Sequence, residues 1–120
     1  MARTGPTNIM LRRIISDLRR YANKYKAPVW DAVAEYLERS SRKRVAVNIS
    51  RISRYAKENE IVVVPGKVLA SGSLKKKITI AAYSYSAKAL EKIRSSGGRA
   101  ITIRDLLKEN PEGRGVRIII

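Results

Sequence analysis

The chain has 120 residues, in which 26 lysines and arginines face 10 aspartates and glutamates for a net charge of +16, with 44% hydrophobic content and neither cysteine nor histidine. Those two absences exclude zinc fingers, disulfide frameworks, thiol nucleophiles and histidine general bases, while the apolar content and the length bound the chain to one domain or two small subdomains sharing a core. Residues 1–60 carry 14 basic and 6 acidic side chains and residues 61–120 carry 12 and 4, so each half contributes +8, and a folded body charged throughout points to a polyanionic partner.

The four prolines fall at expected boundaries. After Gly5-Pro6, Thr7 or Asn8 is placed to cap a helix whose apolar stripe is Leu11, Ile14, Ile15, Leu18, Tyr21, Ala22 and Tyr25, with Arg12, Arg13, Asp17, Arg19, Arg20 and Lys24 off the stripe. A second helix over Pro28–Arg39 buries Val29 or Trp30, then Val33, Ala34 and Leu37. The short link at Lys26-Ala27 implies a helical hairpin or corner.

Val45 and Val47 alternate as a short strand, after which Asn48 can cap a helix with Ile49, Ile52, Tyr55 and Ala56 inward and Arg51, Arg54 and Lys57 outward. Strands are expected at Ile61–Val64, Val68–Ala70 and Ile78–Tyr83, separated by Pro65-Gly66 and by residues 71–77. A helix from Ser86 to Ser95, with Ala87, Leu90 and Ile93 inward, is ended by Gly97-Gly98. A strand at Ala100–Ile103 follows, then a short helix with a capping box at Thr102 and Asp105, and an apolar strand at Val116–Ile120 that would invite aggregation unless paired. The alternation reads as a mixed α/β fold, with residues 1–44 a helical part and residues 45–120 an α/β body of one domain.

Motifs for small-molecule chemistry fail on spacing. Gly66-Lys67 lacks the second glycine and the hydroxyl residue of a P-loop, since Ile61 and Val68 stand there, and Gly97-Gly98 follows a helix instead of opening one. Glu35 with Arg39 and Glu38 with Arg42 have the spacing of surface ion pairs, not of a catalytic carboxylate dyad. No segment approaches the roughly 18 apolar residues of a membrane span, and the first residues contain no apolar run with a cleavage site. The expectation is a cytoplasmic, non-enzymatic protein with no cofactor, metal, membrane or small-molecule substrate.

The basic clusters carry the remaining signal. Candidate contacts to a phosphate backbone are Arg3, Arg12, Arg13, Arg19, Arg20, Arg42, Lys43, Arg44, Arg51, Arg54, Lys67, Lys75, Lys76 and Lys77, with Gly66, Ser71 and Gly72 shaping a turn that a backbone can approach closely. Tyr21, Tyr25, Tyr55 and Trp30 lie on helical core stripes, which favours packing over base stacking, whereas Tyr83 and Tyr85 are open to either role.

The run Val62-Val63-Val64-Pro65-Gly66-Lys67-Val68-Leu69-Ala70-Ser71-Gly72-Ser73-Leu74 is followed by Ile78-Thr79-Ile80-Ala81-Ala82-Tyr83-Ser84-Tyr85-Ser86, then by Ala89-Leu90-Glu91-Lys92-Ile93 and Gly97-Gly98. It resembles archaeal large-subunit ribosomal protein L-eighteen-e, the counterpart of the eukaryotic L-eighteen and a relative of bacterial L-fifteen. Ala27-Pro28-Val29-Trp30, Val47-Asn48-Ile49-Ser50-Arg51-Ile52 and Asn110-Pro111-Glu112-Gly113 extend the likeness over nearly the whole chain, while Ala70 stands where that family carries glycine. The resemblance implies irregular strand-strand-helix units with the N-terminal helices alongside. It also implies a structural constituent of the large ribosomal subunit that binds 23S-type ribosomal RNA beside neighbouring ribosomal proteins. A free-standing DNA- or chromatin-binding protein using the first two helices as a helix-turn-helix is the alternative.

Overall fold

The computed structural model describes residues 6–39 and 45–120. Helices α1 (Pro6–Tyr25) and α2 (Pro28–Arg39) precede strand β1 (Val45–Asn48), helix α3 (Ile49–Tyr55), strands β2 (Ile61–Leu69) and β3 (Thr79–Tyr85), helix α4 (Ala87–Ser95), strand β4 (Arg99–Thr102), helix α5 (Ile103–Glu109) and strand β5 (Val116–Ile118). The α/β class is as expected from the sequence. No helix among the described residues is long and apolar enough to cross a membrane.

All strand pairings are parallel, in the order β1-β2-β3-β4, and β5 pairs with β2 as well. Since β3 occupies one edge of β2, β1 and β5 share the other end to end: β5 pairs with Ile61–Val63 and β1 with Gly66–Leu69. The chain moves from β1 to β4 across one face of the sheet through α3, the segment 70–78 and α4, and returns from β4 to β5 across the other face through α5. Reversing direction on the opposite face keeps the parallel crossovers of one hand. The β2–β3 crossover contains no helix; Leu74 and Ile78 from that segment are buried where a helix would otherwise lie.

Two apolar clusters follow from the alternation of side chains along β2. Val62, Val64 and Val68 join Ile49, Ile52, Ala89 and Ile93 beneath α3 and α4, whereas Val63 joins Leu18, Trp30, Val33, Leu37, Leu106 and Leu107 beneath α1, α2 and α5. Trp30 is the fully buried member of the Val29–Trp30 pair, and its indole Nε1 donates to the carbonyl of Pro111 at 2.8 Å, tying α2 to the turn before β5.

Several boundaries differ from the sequence reading. Pro65-Gly66 does not separate two strands: both residues are buried within the continuous β2, where three steps from Val64 to Lys67 match two from Ala82 to Ser84 on β3. This one-residue bulge tolerates the proline, which has no N–H for the ladder. Helix α1 starts at Pro6 itself, so Thr7 and Asn8 lie inside it, as suits a proline in a first turn. Asn48 occupies the N-cap position of α3 without a side-chain capping bond; its Oδ1 instead accepts from the Ser71 N–H at 3.3 Å. Tyr55, expected inward, is 50% exposed, and Ala89 replaces Ala87 as the buried alanine of α4. Strand β4 ends at Thr102, leaving Ile103 to open α5 as a buried residue, and the Thr102–Asp105 capping box forms as expected. The last strand is paired, as its hydrophobicity demands, though it ends at Ile118; the Ile119 N–H still donates to Val63 at 3.0 Å.

Two predictions follow from the edges of β2. A Cβ at position 66 would stand 2.1 Å from the Val45 carbonyl oxygen, whereas one at Gly115 would meet nothing within 4 Å and suffer only its positive φ of +68°. Gly66→Ala should therefore cost about 3 kcal/mol, the upper part of the overpacking range, and Gly115→Ala about 1 kcal/mol, measured as urea unfolding free energies. The second concerns Glu60, whose Oε1 accepts from the Lys57 N–H at 2.9 Å and from Arg117 Nε at 3.1 Å, so that β5 is fastened to the end of α3. The Lys57 N–H, and then Arg117, hold the Glu60 carboxyl below its ordinary pKa. The ionised form is the one the fold favours, so its stabilisation is present above the ordinary carboxylate range and disappears as pH falls through the depressed value. Glu60→Gln should lower the urea midpoint at neutral pH, and the gap to the native chain should narrow and close as pH falls through the depressed Glu60 value.

Candidate nucleic-acid interface

The two helical layers carry equal numbers of basic residues but very different numbers of acids. Helices α1, α2 and α5 hold eight lysines and arginines and six acids. Segment 70–78 with α3 and α4 also holds eight lysines and arginines, against the single acid Glu91. The excess positive charge is thus displayed on the α3/α4 face.

In the α1/α2/α5 layer five of the six acids are joined to arginines, and Asp105 completes the capping box of α5. Arg19 bridges α1 to α2 by pairing with Glu38 and, at 3.2 Å, with Asp31; Glu38 first and Asp31 second raise its guanidinium above its ordinary pKa. Asp17 takes Arg20 at 3.0 Å and Arg104 at 3.1 Å, and Arg39 stands 3.7 Å from Glu35. At the sheet edge Arg99 holds Glu109 with two bonds, of 3.1 and 2.7 Å, which keeps that carboxyl below its ordinary range. Exposed pairs of this kind stabilise weakly, but they neutralise the surface that bears them. Arg19 and Arg20, candidate contacts in the sequence, are therefore engaged with protein carboxylates. Arg12 and Arg13 are exposed on α1 and make no ion pair among the described residues.

Opposite them, the α3/α4 face is organised around the loop after β2. Lys92 Nζ on α4 donates to the carbonyls of Ala70 and Gly72, both at 2.8 Å, while Ser71 receives the Ser50 N–H on its carbonyl and donates its own N–H to Asn48. Gly72 turns with φ +90°, and a Cβ there would fall 2.4 Å from the Ser50 Cβ. The exposed Ser71-Gly72 turn is consequently fixed against the start of α3. Lys76 Nζ reaches the carbonyls of Ser53 and Ala56 at 2.7 and 2.8 Å, satisfying the C-terminal end of α3 with a cation where the helix dipole favours one.

The structure brings together Arg51, Arg54, Ser71, Gly72, Lys75, Lys76 and Lys77 from the sequence-derived set, and adds Lys88, Lys92 and Arg94 of α4. These three were missed because they are isolated in the sequence; the four-residue spacing of Lys88 and Lys92 is the one hint that they share a helix face. Arg12, Arg13, Arg19 and Arg20 lie on α1 in the other layer, and Lys67, exposed next to the buried Val68, points to that same opposite side of the sheet. Gly66 is buried, and the backbone it admits is that of Val45. Arg3, Arg42, Lys43 and Arg44 fall outside the described residues. Of the two tyrosines left open, Tyr85 is structural: its hydroxyl lies 2.7 Å from the Ile80 carbonyl and 2.6 Å from that of Ile101, and burial pushes the phenol pKa up.

Residues 3–120 match the family model described as ribosomal protein 60S L18 and 50S L18e. The chain is 48% identical to the large ribosomal subunit protein eL18 of Pyrobaculum aerophilum, over 98% of this chain and 96% of the relative. It is 47% identical to the protein of that name from Methanopyrus kandleri, over 98% and 97% of the two chains, and 50% identical to that from Archaeoglobus fulgidus, over 95% and 97%. A match of this extent, on a fold whose β2 contains the Val-Pro-Gly-Lys-Val-Leu run, places the chain in the ribosomal protein 60S L18 and 50S L18e family, with a structural role in the large ribosomal subunit.

Proposed function

We propose that the chain acts as a single RNA-binding domain that holds folded 23S-type ribosomal RNA against its α3/α4 face and helps to stabilise that fold within the cytoplasmic ribosome. The observation that carries this reading is the partition of acids: six on one helical layer and one on the other, with equal numbers of bases. Arg51, Arg54, Lys75, Lys77, Lys88 and Arg94 are positioned to meet phosphates and 2′-hydroxyls, and the fixed Ser71-Gly72 turn offers a narrow projection for close approach. Such a surface recognises the shape of the RNA backbone more than base sequence. Arg12, Arg13 and Lys67 provide contacts for a second RNA segment on the far side, and Arg3, Arg42, Lys43 and Arg44, outside the described residues, stay candidate RNA contacts. The layer rich in ion pairs, including Arg19 and Arg20, faces neighbouring ribosomal proteins. The role requires no catalytic group, cofactor or small-molecule substrate. A helix-turn-helix reading is disfavoured because α2, which would enter the groove, carries Asp31, Glu35 and Glu38 against the single Arg39.

The test is filter binding to isolated large-subunit ribosomal RNA as a function of salt. With about six to ten phosphates neutralised, affinity should fall by roughly three to five decades between about 50 and 200 mM salt. Replacing Arg54, Lys88 and Arg94 together by alanine should reduce the log–log salt slope by about three. Lys108→Ala, on the acid-rich layer, should leave the slope unchanged. A flat salt response, or a slope lowered equally by Lys108→Ala, would refute the assignment of the face.

A further inference from the structure

One exposed aromatic stands at the border of this basic face. Tyr55, the last residue of α3, is 50% exposed, and the guanidinium carbon of Arg51, one turn earlier, lies 5.3 Å from its ring centroid. The pair forms one wall of a cleft of about 230 Å³ whose remaining lining is Arg117, Ile118, Ile119 and Ile120. That volume is below the roughly 300–1,000 Å³ of pockets that enclose a drug-sized ligand, so the cleft suits one planar fragment.

Its chemistry is specific. Ile120, 45% exposed, provides an apolar floor. Both guanidinium groups are held through Nε: Arg51 donates to the Ile120 carbonyl at 2.9 Å, and Arg117 to Glu60 at 3.1 Å. Anchoring at Nε fixes each fork while directing its terminal NH₂ groups elsewhere. The nearby acid, Glu60, is already taken up by Arg117 and the Lys57 N–H, so its charge is compensated. Arg54 and Lys57 flank Tyr55 in the chain and are exposed, which supplies cations for the phosphates on either side of a bound nucleotide. A stacking surface, hydrogen-bond donors in excess of free acceptors, and surrounding positive charge describe a site for an unstacked base with an acceptor-rich edge. Guanine presents that edge through O6 and N7, the usual partners of an arginine fork.

We propose that this cleft takes a single unpaired guanine of the bound RNA, layered on the Arg51–Tyr55 stack with its O6 and N7 facing the free end of the Arg117 guanidinium. The inference rests on the RNA-binding reading and adds to it one point of base recognition on a surface that otherwise reads backbone shape.

The experiment is fluorescence anisotropy with the full chain and three labelled RNA hairpins that differ at one bulged position: guanosine, adenosine or an abasic nucleotide. The native chain should bind the guanosine hairpin about tenfold more tightly than the abasic one, the scale of a single base stacked on an aromatic ring. Y55A should bind all three alike, Y55F should retain the preference, and R117Q should still distinguish a base from the abasic site but no longer guanosine from adenosine. Matching thermal unfolding midpoints for Y55A and Y55F would show that the fold is intact. Equal binding of the three hairpins by the native chain, with a steep salt dependence preserved, would overturn the base site and leave the phosphate-binding face standing. Failure to bind any hairpin or large-subunit ribosomal RNA would overturn both. Unchanged affinities in Y55A would end the proposal.

Discussion

The sheet depends on how closely β1 can approach β2. At position 66 the Val45 carbonyl oxygen occupies the space a side chain would need, 2.1 Å from where a Cβ would be. Glycine removes that obstruction, and the bulge at Pro65-Gly66 adjusts the register so that Lys67 and Val68 still pair with Ser84 and Tyr85 on β3. With β1 seated on the C-terminal half of β2, the N-terminal half of the same edge remains for β5. β2 is then paired along both edges and covered on both faces, the situation in which parallel strands are stable. Both apolar clusters meet across it, through Val62, Val64 and Val68 on one side and Val63 on the other. A larger residue at position 66 would disturb β1, the placement of α3 that follows β1, and so the basic face.

Charge is distributed to the same plan. An isolated domain with a net charge of +16 repels itself, and the fold places most of its ion pairs in one layer. There the acids of α1 and α2 link helices that must sit together: Asp31 and Glu38 reach Arg19 on α1, and Asp17 on α1 takes Arg104 of α5. On the other layer two lysines replace acids as internal fasteners. Lys76 and Lys92 bond backbone carbonyls, which organises the loop and the end of α3 while adding positive charge instead of cancelling it. The same ammonium groups can thus order the protein and contribute to its field, an economy open to lysine because it has three donors and each of these uses two within the fold.

Much of this was legible in the sequence where local chemistry decides. The three-and-four spacing from Leu11 to Tyr25, the Thr102–Asp105 capping box and the Gly97 terminus of α4 each follow from a few adjacent residues. The errors occurred where a distant segment decides. Pro65-Gly66 looks like a turn until the Val45 carbonyl is known to lie against it. Asn48 looks like a helix cap until Ser71 competes for its side chain. Tyr55 fits the helical stripe, yet at the last position of α3 the stripe has run past the sheet and the ring emerges beside Ile120. Likewise the sequence shows sixteen uncompensated charges but not which face holds them, because Arg19 and Asp31 are twelve residues apart and their pairing depends on the α1–α2 corner.

That corner also explains why basic runs along the chain do not coincide with unpaired charge on the surface. Lys26 adopts φ +52°, and the Ala27 N–H returns to the Ala22 carbonyl at 3.0 Å, closing α1 with a left-handed residue before Pro28 opens α2. The reversal lays α2 along α1, so the acids of one helix meet the arginines of the other. Arg19 thereby becomes part of a neutralised protein surface, as Arg20 does through Asp17 on α1 itself. Lys88 and Arg94, which belong to no run, acquire their importance because α4 covers the same side of the sheet as α3 and carries one acid, Glu91, while Glu58 stands at the border, accepting from the Lys77 N–H at 3.0 Å. Cluster density along the chain measures charge before folding. The field a folded chain presents is the remainder after acids and bases have paired, and in this fold a large share of that remainder lies on α3, α4 and the loop clamped between them.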